Sequence, residues 1–192
     1  MYQLFMNCKS LTEIPQLNTS NVTSMNFMFG YCRKLITIPQ LDTSKVTSMN
    51  QMFLSCSSLT TIPHLNTSNV TDMGMMFSGC TSLTTIPLLD TSKVTSVSSM
   101  FNHCSSLTTL GGFTNLGQAY GTSQSANYYG YVLYLYGSPN LTHESLMNVI
   151  NNLYDIASAG IQPQQLILGT ENLTKLTDEE KAIVTNKGWN LS

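Results

Sequence analysis

Five cysteines, Cys8, Cys32, Cys56, Cys80 and Cys104, follow one another at intervals of 24 residues with no insertion. The residues between them repeat as well. Residues 56–79 read C-S-S-L-T-T-I-P-H-L-N-T-S-N-V-T-D-M-G-M-M-F-S-G, and residues 80–103 read C-T-S-L-T-T-I-P-L-L-D-T-S-K-V-T-S-V-S-S-M-F-N-H. A fixed period of 20–50 residues is the signature of a stacked architecture in which no unit buries its apolar face alone. This period fixes the architecture before any propensity is considered.

The consensus is C-x-x-L-T-x-I-P-x-L-(N/D)-T-S-(N/K)-V-T-x-M-x-x-M-F-x-x, in full copies from Cys8, Cys32, Cys56 and Cys80 and a decaying copy from Cys104. Cys56, Leu59, Ile62 and Leu65 are spaced to share one core. L-T-T-I suits a short strand, and Pro63, which cannot donate to a ladder, ends it. Asn66-Thr67-Ser68 is a turn and a helix start. Val70, Met73, Met76 and Phe77 follow at helical spacing, which predicts a short helix in every coil. Asn18, Asp42, Asn66 and Asp90 form one column, and Asn21, Lys45, Asn69 and Lys93 another. Alternation keeps like charges out of adjacent coils and gives each charged coil its own Asp–Lys pair. The full period is therefore 48 residues.

Net charge is −2 and only 9% of residues are charged, against roughly 25% in an ordinary soluble domain. Ser, Thr and Asn carry the polar surface instead. Such a surface excludes nucleic acid, which needs clustered Lys and Arg, and excludes a polybasic membrane patch. No apolar run is long enough to insert into a membrane. The first residues, M-Y-Q-L-F-M-N-C, already belong to a repeat and show no leader pattern. A stack needs a polar cap at each end and none precedes Met1, so the chain reads as a piece of a longer protein.

The period breaks after Thr109. Three parts are expected: repeats over 1–110, an irregular Gly/Ser/Tyr connection over 111–131, and a divergent strand–helix cap over 132–192. Val132–Tyr136 alternates like a strand. A helix follows Ser138-Pro139-Asn140-Leu141-Thr142, with Leu146, Val149, Ile150, Leu153 and Ile156 on one face and Gly160 at its end. Gln165–Leu168 reads as a strand, Thr177-Asp178-Glu179-Glu180 as a capping box, and Trp189–Leu191 as a last strand.

The C-x-x-L-x-x-I-P and V-T-x-M-x-x-M-F-x-x-C frames resemble the BspA-like leucine-rich repeats of bacterial surface proteins. Leu133 through Thr142 resembles the L-x-L-x-x-x-P-x-L-T of helix-bearing leucine-rich repeats. The resemblance implies an α/β solenoid: a right-handed superhelix with short parallel strands, short helices and a helical C-terminal cap. It also implies an extracellular or cell-surface role in adhesion or ligand binding. It carries over no site residues.

No G-x-S-x-G, H-E-x-x-H or Walker pattern occurs, so no enzyme, cofactor or metal site is expected. Five is an odd number of cysteines, and parallel Cβ vectors in a stack do not aim at each other. The cysteines therefore read as a buried thiol ladder. His64, His103 and His143 are scattered over variable positions. The Met25, Met28, Met49, Met52, Met73 and Met76 stripe reads as core beside Phe29, Phe53 and Phe77. Two binding leads remain. Tyr134 and Tyr136 should face outward if Leu133 and Leu135 face inward, with Tyr128, Tyr129 and Tyr131 just before them. Thr60, Thr61, Thr84, Thr85, Thr108 and Thr109 would form a hydroxyl-rich strand face. The expected function is non-catalytic recognition of an extracellular protein or glycan through that strand face, extended by the tyrosines. A structural spacer or particle component, associating end to end through the uncapped N-terminal coil, is the alternative.

Overall fold

The computed structural model describes residues 1–119 and 131–192. In the repeats, strands β1 (Thr85–Ile86) and β3 (Thr109–Leu110) pair in parallel, with Thr85 opposite Thr109 and Ile86 opposite Leu110. A bridge from Thr61 to Thr85 extends the ladder, as do the amides of Thr60, Thr84 and Thr108, which donate to the carbonyls of Ile36, Thr60 and Thr84. Pro87 interrupts the chain as its missing N–H requires. A second ladder then begins, with β2 (Leu89–Asp90) parallel to β4 (Phe113–Thr114). A third runs through Ser24, Ser48, Asp72 and Ser96. Each bridge joins residues one repeat apart, so the coils stack in register. The ordered repeat also continues beyond residue 110, since Phe113 and Leu116 are buried and Leu116 bridges Leu153.

The helix expected over V-T-x-M-x-x-M-F does not form. Two positions in every coil have positive φ: Gln3, Phe27, Gln51, Met75 and Ser99 in one column, and Asn7, Tyr31, Ser55, Gly79 and His103 in the other. A left-handed residue breaks an α-helix. The amides of Met25, Phe27, Phe29 and Tyr31 instead donate to Ser48, Asn50, Met52 and Leu54 of the next coil, at 2.6–3.0 Å. Those of Met28, Gly30 and Cys32 close tight turns on Met25, Phe27 and Phe29. Two successive turns bring Met, Met and Phe inward as a helix would, so the spacing could not separate the alternatives.

The core is a set of columns. Phe5, Phe29, Phe53, Phe77 and Phe101 stack with ring centroids 5.6–5.9 Å apart and planes within 11° of parallel. Phe113 ends the row, tilted by 45°. The methionine stripe is fully buried beside it. Thr19, Thr43, Thr67 and Thr91 are buried too, and their hydroxyls donate to carbonyls of the next coil at 2.8–2.9 Å.

The expected Asp–Lys pairs are replaced by other contacts. Asn18, Asp42, Asn66 and Asp90 each accept from the amide and hydroxyl of the serine two residues on. Lys45 and Lys93 reach back one coil to the side-chain oxygens of Asn21 and Asn69, both at 2.7 Å. Alternation gives every lysine a neutral acceptor below it, which a column of lysines would not.

The cap is a three-stranded parallel sheet, β5 (Val132–Tyr134), β6 (Gln165–Ile167) and β7 (Asn190–Leu191). Helix α1 (His143–Asn151) is capped by the Thr142 hydroxyl and ends well before Gly160. The short α2 (Thr170–Leu173) was not foreseen. Helix α3 (Asp178–Asn186) has the expected capping box between Thr177 and Glu180, and Gly188 follows it at φ 87°. Cap and repeats join by an exchange of element types. Gly137 sits against the backbone of Phe101 and His103, so β5 follows the turn segment of the last repeat. The Thr142 amide donates to Thr108, so α1 follows the L-T-T-L strand.

The positive-φ columns can be tested. Gly79 has φ 78°, and a Cβ there would lie 3.1 Å from the Ser55 hydroxyl and 3.3 Å from its Cα. Gly79→Val should lower unfolding free energy by about 1–3 kcal/mol, and Gly79→Asn, which tolerates this conformation, by less. Urea denaturation would measure both.

Candidate functional site

The strand face is built as expected from Thr60, Thr61, Thr84, Thr85 and Thr109, which are exposed, and the half-buried Thr108. Its two columns differ. The hydroxyls of Thr60, Thr84 and Thr108 donate to the carbonyls of Ile36, Thr60 and Thr84 at 3.2–3.3 Å, so they tie coil to coil. Thr61, Thr85 and Thr109 form the outer row. Where columns depart from their usual residue, the surface gains apolar area: Ile36, in the column of Thr60 and Thr84, is 50% exposed, and Leu88, between β1 and β2, is 48% exposed. Helix α1 closes the face, with the Ser145 hydroxyl bonded at 3.0 Å to both the Thr108 carbonyl and the Leu110 amide.

The tyrosines divide. Tyr128 and Tyr129 lie outside the described residues. Tyr131 is not a surface residue: it is 2% exposed and packs edge-on against Trp189, with centroids 6.2 Å apart. Burial holds its phenol well above the usual tyrosine range. The reason is periodicity, since Tyr131, Leu133 and Leu135 alternate inward on one strand and all three are buried. Tyr134 and Tyr136 point the other way. Tyr136 is 49% exposed and meets Tyr134 edge to face at 5.9 Å. The backbone of Gly169 lies against Tyr136, where a Cβ would come within 2.8 Å of the tyrosine's own. The pair is therefore seated on glycine and held by its own ring contact.

The two leads do not merge into one surface. Because β5 follows the turn segment and α1 follows the strand, Tyr134 and Tyr136 lie on one side segment of the coil and the threonines on another. Met75, exposed at a positive-φ position, shares the turn side with the tyrosines.

The other reactive groups are absorbed into the scaffold. The thiols of Cys32, Cys56, Cys80 and Cys104 are buried and donate to the carbonyls of Phe5, Phe29, Phe53 and Phe77 at 3.0–3.1 Å. Burial pushes Cys32 up to about 11 and Cys104 to about 12, and raises Cys56 and Cys80 further. Cys8, in the first coil, is exposed. His64 and His103 are exposed, while His143 on α1 pairs with Glu180 on α3 at 2.8 Å. Bonds from the Thr177 amide and then from His143 hold the Glu180 carboxyl low. Among the described residues, no three His, Cys, Asp or Glu side chains gather as a metal site would require.

Two lysines matter that sequence reasoning passed over. The Lys187 ammonium takes the carbonyls of Ile150, Asn151 and Leu153, the unsatisfied end of α1. Lys175 takes those of Pro139 and Leu141 together with the Asn172 side chain. Burial holds both ammoniums below the usual lysine range. Neither belongs to a repeated column, so no periodic signal marked them.

Two tests follow from this geometry. The buried thiols titrate above the ordinary 9.0 when folded. Their contribution to stability is complete below pH 9 and is lost as pH rises through the folded values. The urea midpoint should fall between pH 9 and 11, and replacing Cys56 and Cys80 with Ala should flatten that decline. Separately, Tyr134→Ser with Tyr136→Ser should leave thermal unfolding cooperative and within a few degrees of the parent. Tyr131→Ser should lower stability by about 3–5 kcal/mol, as removal of a buried aromatic does.

The family comparison matches residues 1–113 to a family described as "Mycoplasma protein of unknown function, DUF285". No curated protein matches in sequence. Among solved structures, the chain is similar to a leucine-rich repeat protein from Bacteroides ovatus ATCC 8483, at 15% identity and a TM-score of 0.31. That alignment covers 87% of this chain and 59% of the other, so the chain spans about three-fifths of that protein's length. The family match covers more than half of the 192 residues and the whole Cys-to-Phe frame described above, and the chain belongs to the DUF285 family.

Proposed function

We propose that the chain is a non-catalytic recognition module, presented outside the cell or at its surface, that binds a protein or glycan. In this reading the coils form a right-handed superhelix of leucine-rich-repeat type, and the scaffold serves to hold out its non-repeating side chains. The observation that carries the proposal is the Tyr134–Tyr136 pair. Two aromatic rings lie edge to face on a strand whose inward residues, Leu133 and Leu135, are buried. Partly exposed tyrosines offer large amphipathic contact area at low entropic cost. The outer threonine row of Thr61, Thr85 and Thr109, with Ile36 and Leu88 beside it, is a second and separate contact surface. Its weak charge suits neutral polar ligands over nucleic acid or anionic lipid.

A spacer role is the second reading. It is favoured by the repeated columns, whose hydroxyl, amide and ammonium groups are bonded to the neighbouring coil.

An array of glycans and extracellular-matrix proteins tests the first reading. The parent chain should bind at least one class. Tyr134→Ser with Tyr136→Ser should weaken that binding by roughly tenfold or more, the loss expected when aromatic anchors are truncated. Binding that survives the double substitution but falls with Ile36→Asp and Leu88→Asp would move the site to the strand face. No binding to any member would remove the adhesion reading and leave the spacer.

A further inference from the structure

The turn of each coil is closed by asparagine in one coil and aspartate in the next, and the turn itself needs neither in particular. Asn18 and Asn66 take the same two bonds from the following serine as Asp42 and Asp90 do. The asparagine coils differ in one respect. Asn18-Thr19-Ser20 and Asn66-Thr67-Ser68 are triplets of asparagine, any residue but proline, then serine or threonine, the acceptor pattern for an N-linked sugar. The same pattern occurs at Asn21, Asn69, Asn140, Asn172 and Asn190.

The structure separates these triplets. Asn172 is buried, and its amide donates to the carbonyls of Leu135, Ser138 and Leu168. Asn140 and Asn69 spend their amides on the carbonyls of Ser105 and Ser44, at 2.8 and 2.9 Å. Asn21 is held by the Lys45 ammonium of the next coil at 2.7 Å. Asn190 lies in the extended β7, where residues two apart do not close a turn. Asn18 and Asn66 are exposed, and all their side-chain bonds are made through the carboxamide oxygen. That oxygen accepts the Ser20 hydroxyl at 2.8 Å in one coil and the Ser68 hydroxyl at 2.8 Å in the other. The amide nitrogen is left unspent among the described residues. The middle residues, Thr19 and Thr67, are buried and bonded to the next coil, so each triplet is pinned with asparagine and serine side by side at the surface.

We infer that Asn18 and Asn66 are acceptor sites for an N-linked saccharide. Two donors on the carboxamide oxygen favour loss of a proton from its nitrogen, which is the nucleophilic form. At Asp42 the same seat has a visible effect: the Ser44 hydroxyl and then the Ser44 amide hold the carboxyl below its usual range. The nitrogen attacks the anomeric carbon of a sugar carried as a diphosphate ester. The N–C bond forms as the C–O bond to phosphate breaks, the diphosphate leaves with the electron pair, and the amide proton passes to a base of the transferase. The two-coil period suits this use. Adjacent coils lie about 4.8 Å apart, too close for a sugar on every one, and aspartate, which cannot accept, occupies the coils between. The proposal uses neither the tyrosine pair nor the threonine row.

The chain recovered from the cells that make it is weighed intact, and its peptides are mapped by mass spectrometry. Saccharide should be found on Asn66 and Asn18 and be absent from Asn69, Asn140 and Asn172. Ser68→Ala should remove it from Asn66, Ser68→Thr should keep it, and Asn18 in the same molecules should be unaffected by either. Bare asparagine at both positions would overturn the proposal. Equal occupancy of Asn69 and Asn140 would overturn it too, as would full occupancy of Asn66 in Ser68→Ala. Where sugar is present, its form identifies the donor: sugars added one at a time mark a nucleotide-linked diphosphate, and a block of fixed mass marks a lipid-linked one. A bare chain that still binds on the array would sink this proposal and leave the recognition reading standing, so the two fail separately.

Discussion

The register between coils is the constraint on which everything else depends. Amides of one coil meet carbonyls of a coil one repeat away, in three separate ladders. An isolated coil would leave these groups to water, and it has no regular secondary structure of its own to satisfy them. Stacking in register satisfies the backbone and superposes like residues at the same time. The phenylalanine row, the methionine stripe and the thiol–carbonyl contacts are consequences of that superposition. A single inserted residue would displace all of them together, which is why five cysteines keep one interval without exception.

Superposition sets limits on chemistry. A column of identical charges would repel at the spacing of adjacent strands, about 4.8 Å. Hydroxyl and amide side chains do not, and each can donate to its neighbour while accepting from another. The buried threonines, the strand-face threonines and the asparagine–lysine contacts all exploit this. The low charge of the chain thus follows from repetition. Ion pairs occur where repetition stops: among the described residues both, His143–Glu180 and Lys181–Asp178, lie in the cap.

Much of this was legible in the sequence because a repeat averages over its copies. The inward columns, the proline break, the Asx-type turn and the α3 capping box are as expected. The missed helix is a different kind of error. Spacing of three and four reports which side chains face inward, and it is silent about whether amides bond within the segment or to the next coil. Only the positive-φ columns decide that, and they hold Phe, Gln, Met, Ser, Tyr and His as well as Asn and Gly. Steric preference gave no hint there. Tyr131 was misplaced because it was grouped with its neighbours by composition, although the alternation through Leu133 and Leu135 put it inside. Lys175 and Lys187 occur once each, so neither had a column to betray it.

The same logic bears on where specificity can lie. Apart from the outer row of Thr61, Thr85 and Thr109, most polar side chains that recur in a column are bonded to the coil above or below. A residue that breaks its column is free of that duty. Ile36 stands among threonines, Leu88 follows Gln16, Gln40 and His64, and Met75 shares its position with Gln51 and Ser99; all three are exposed. Tyr134 and Tyr136 belong to no repeat column. Ile36 lies in the strand segment and Met75 in the turn segment, and the exchange of helix and strand at the junction puts Tyr134 and Tyr136 on the turn side too. In the recognition reading proposed above, a ligand confined to one side would meet either the aromatic rings or the threonine row.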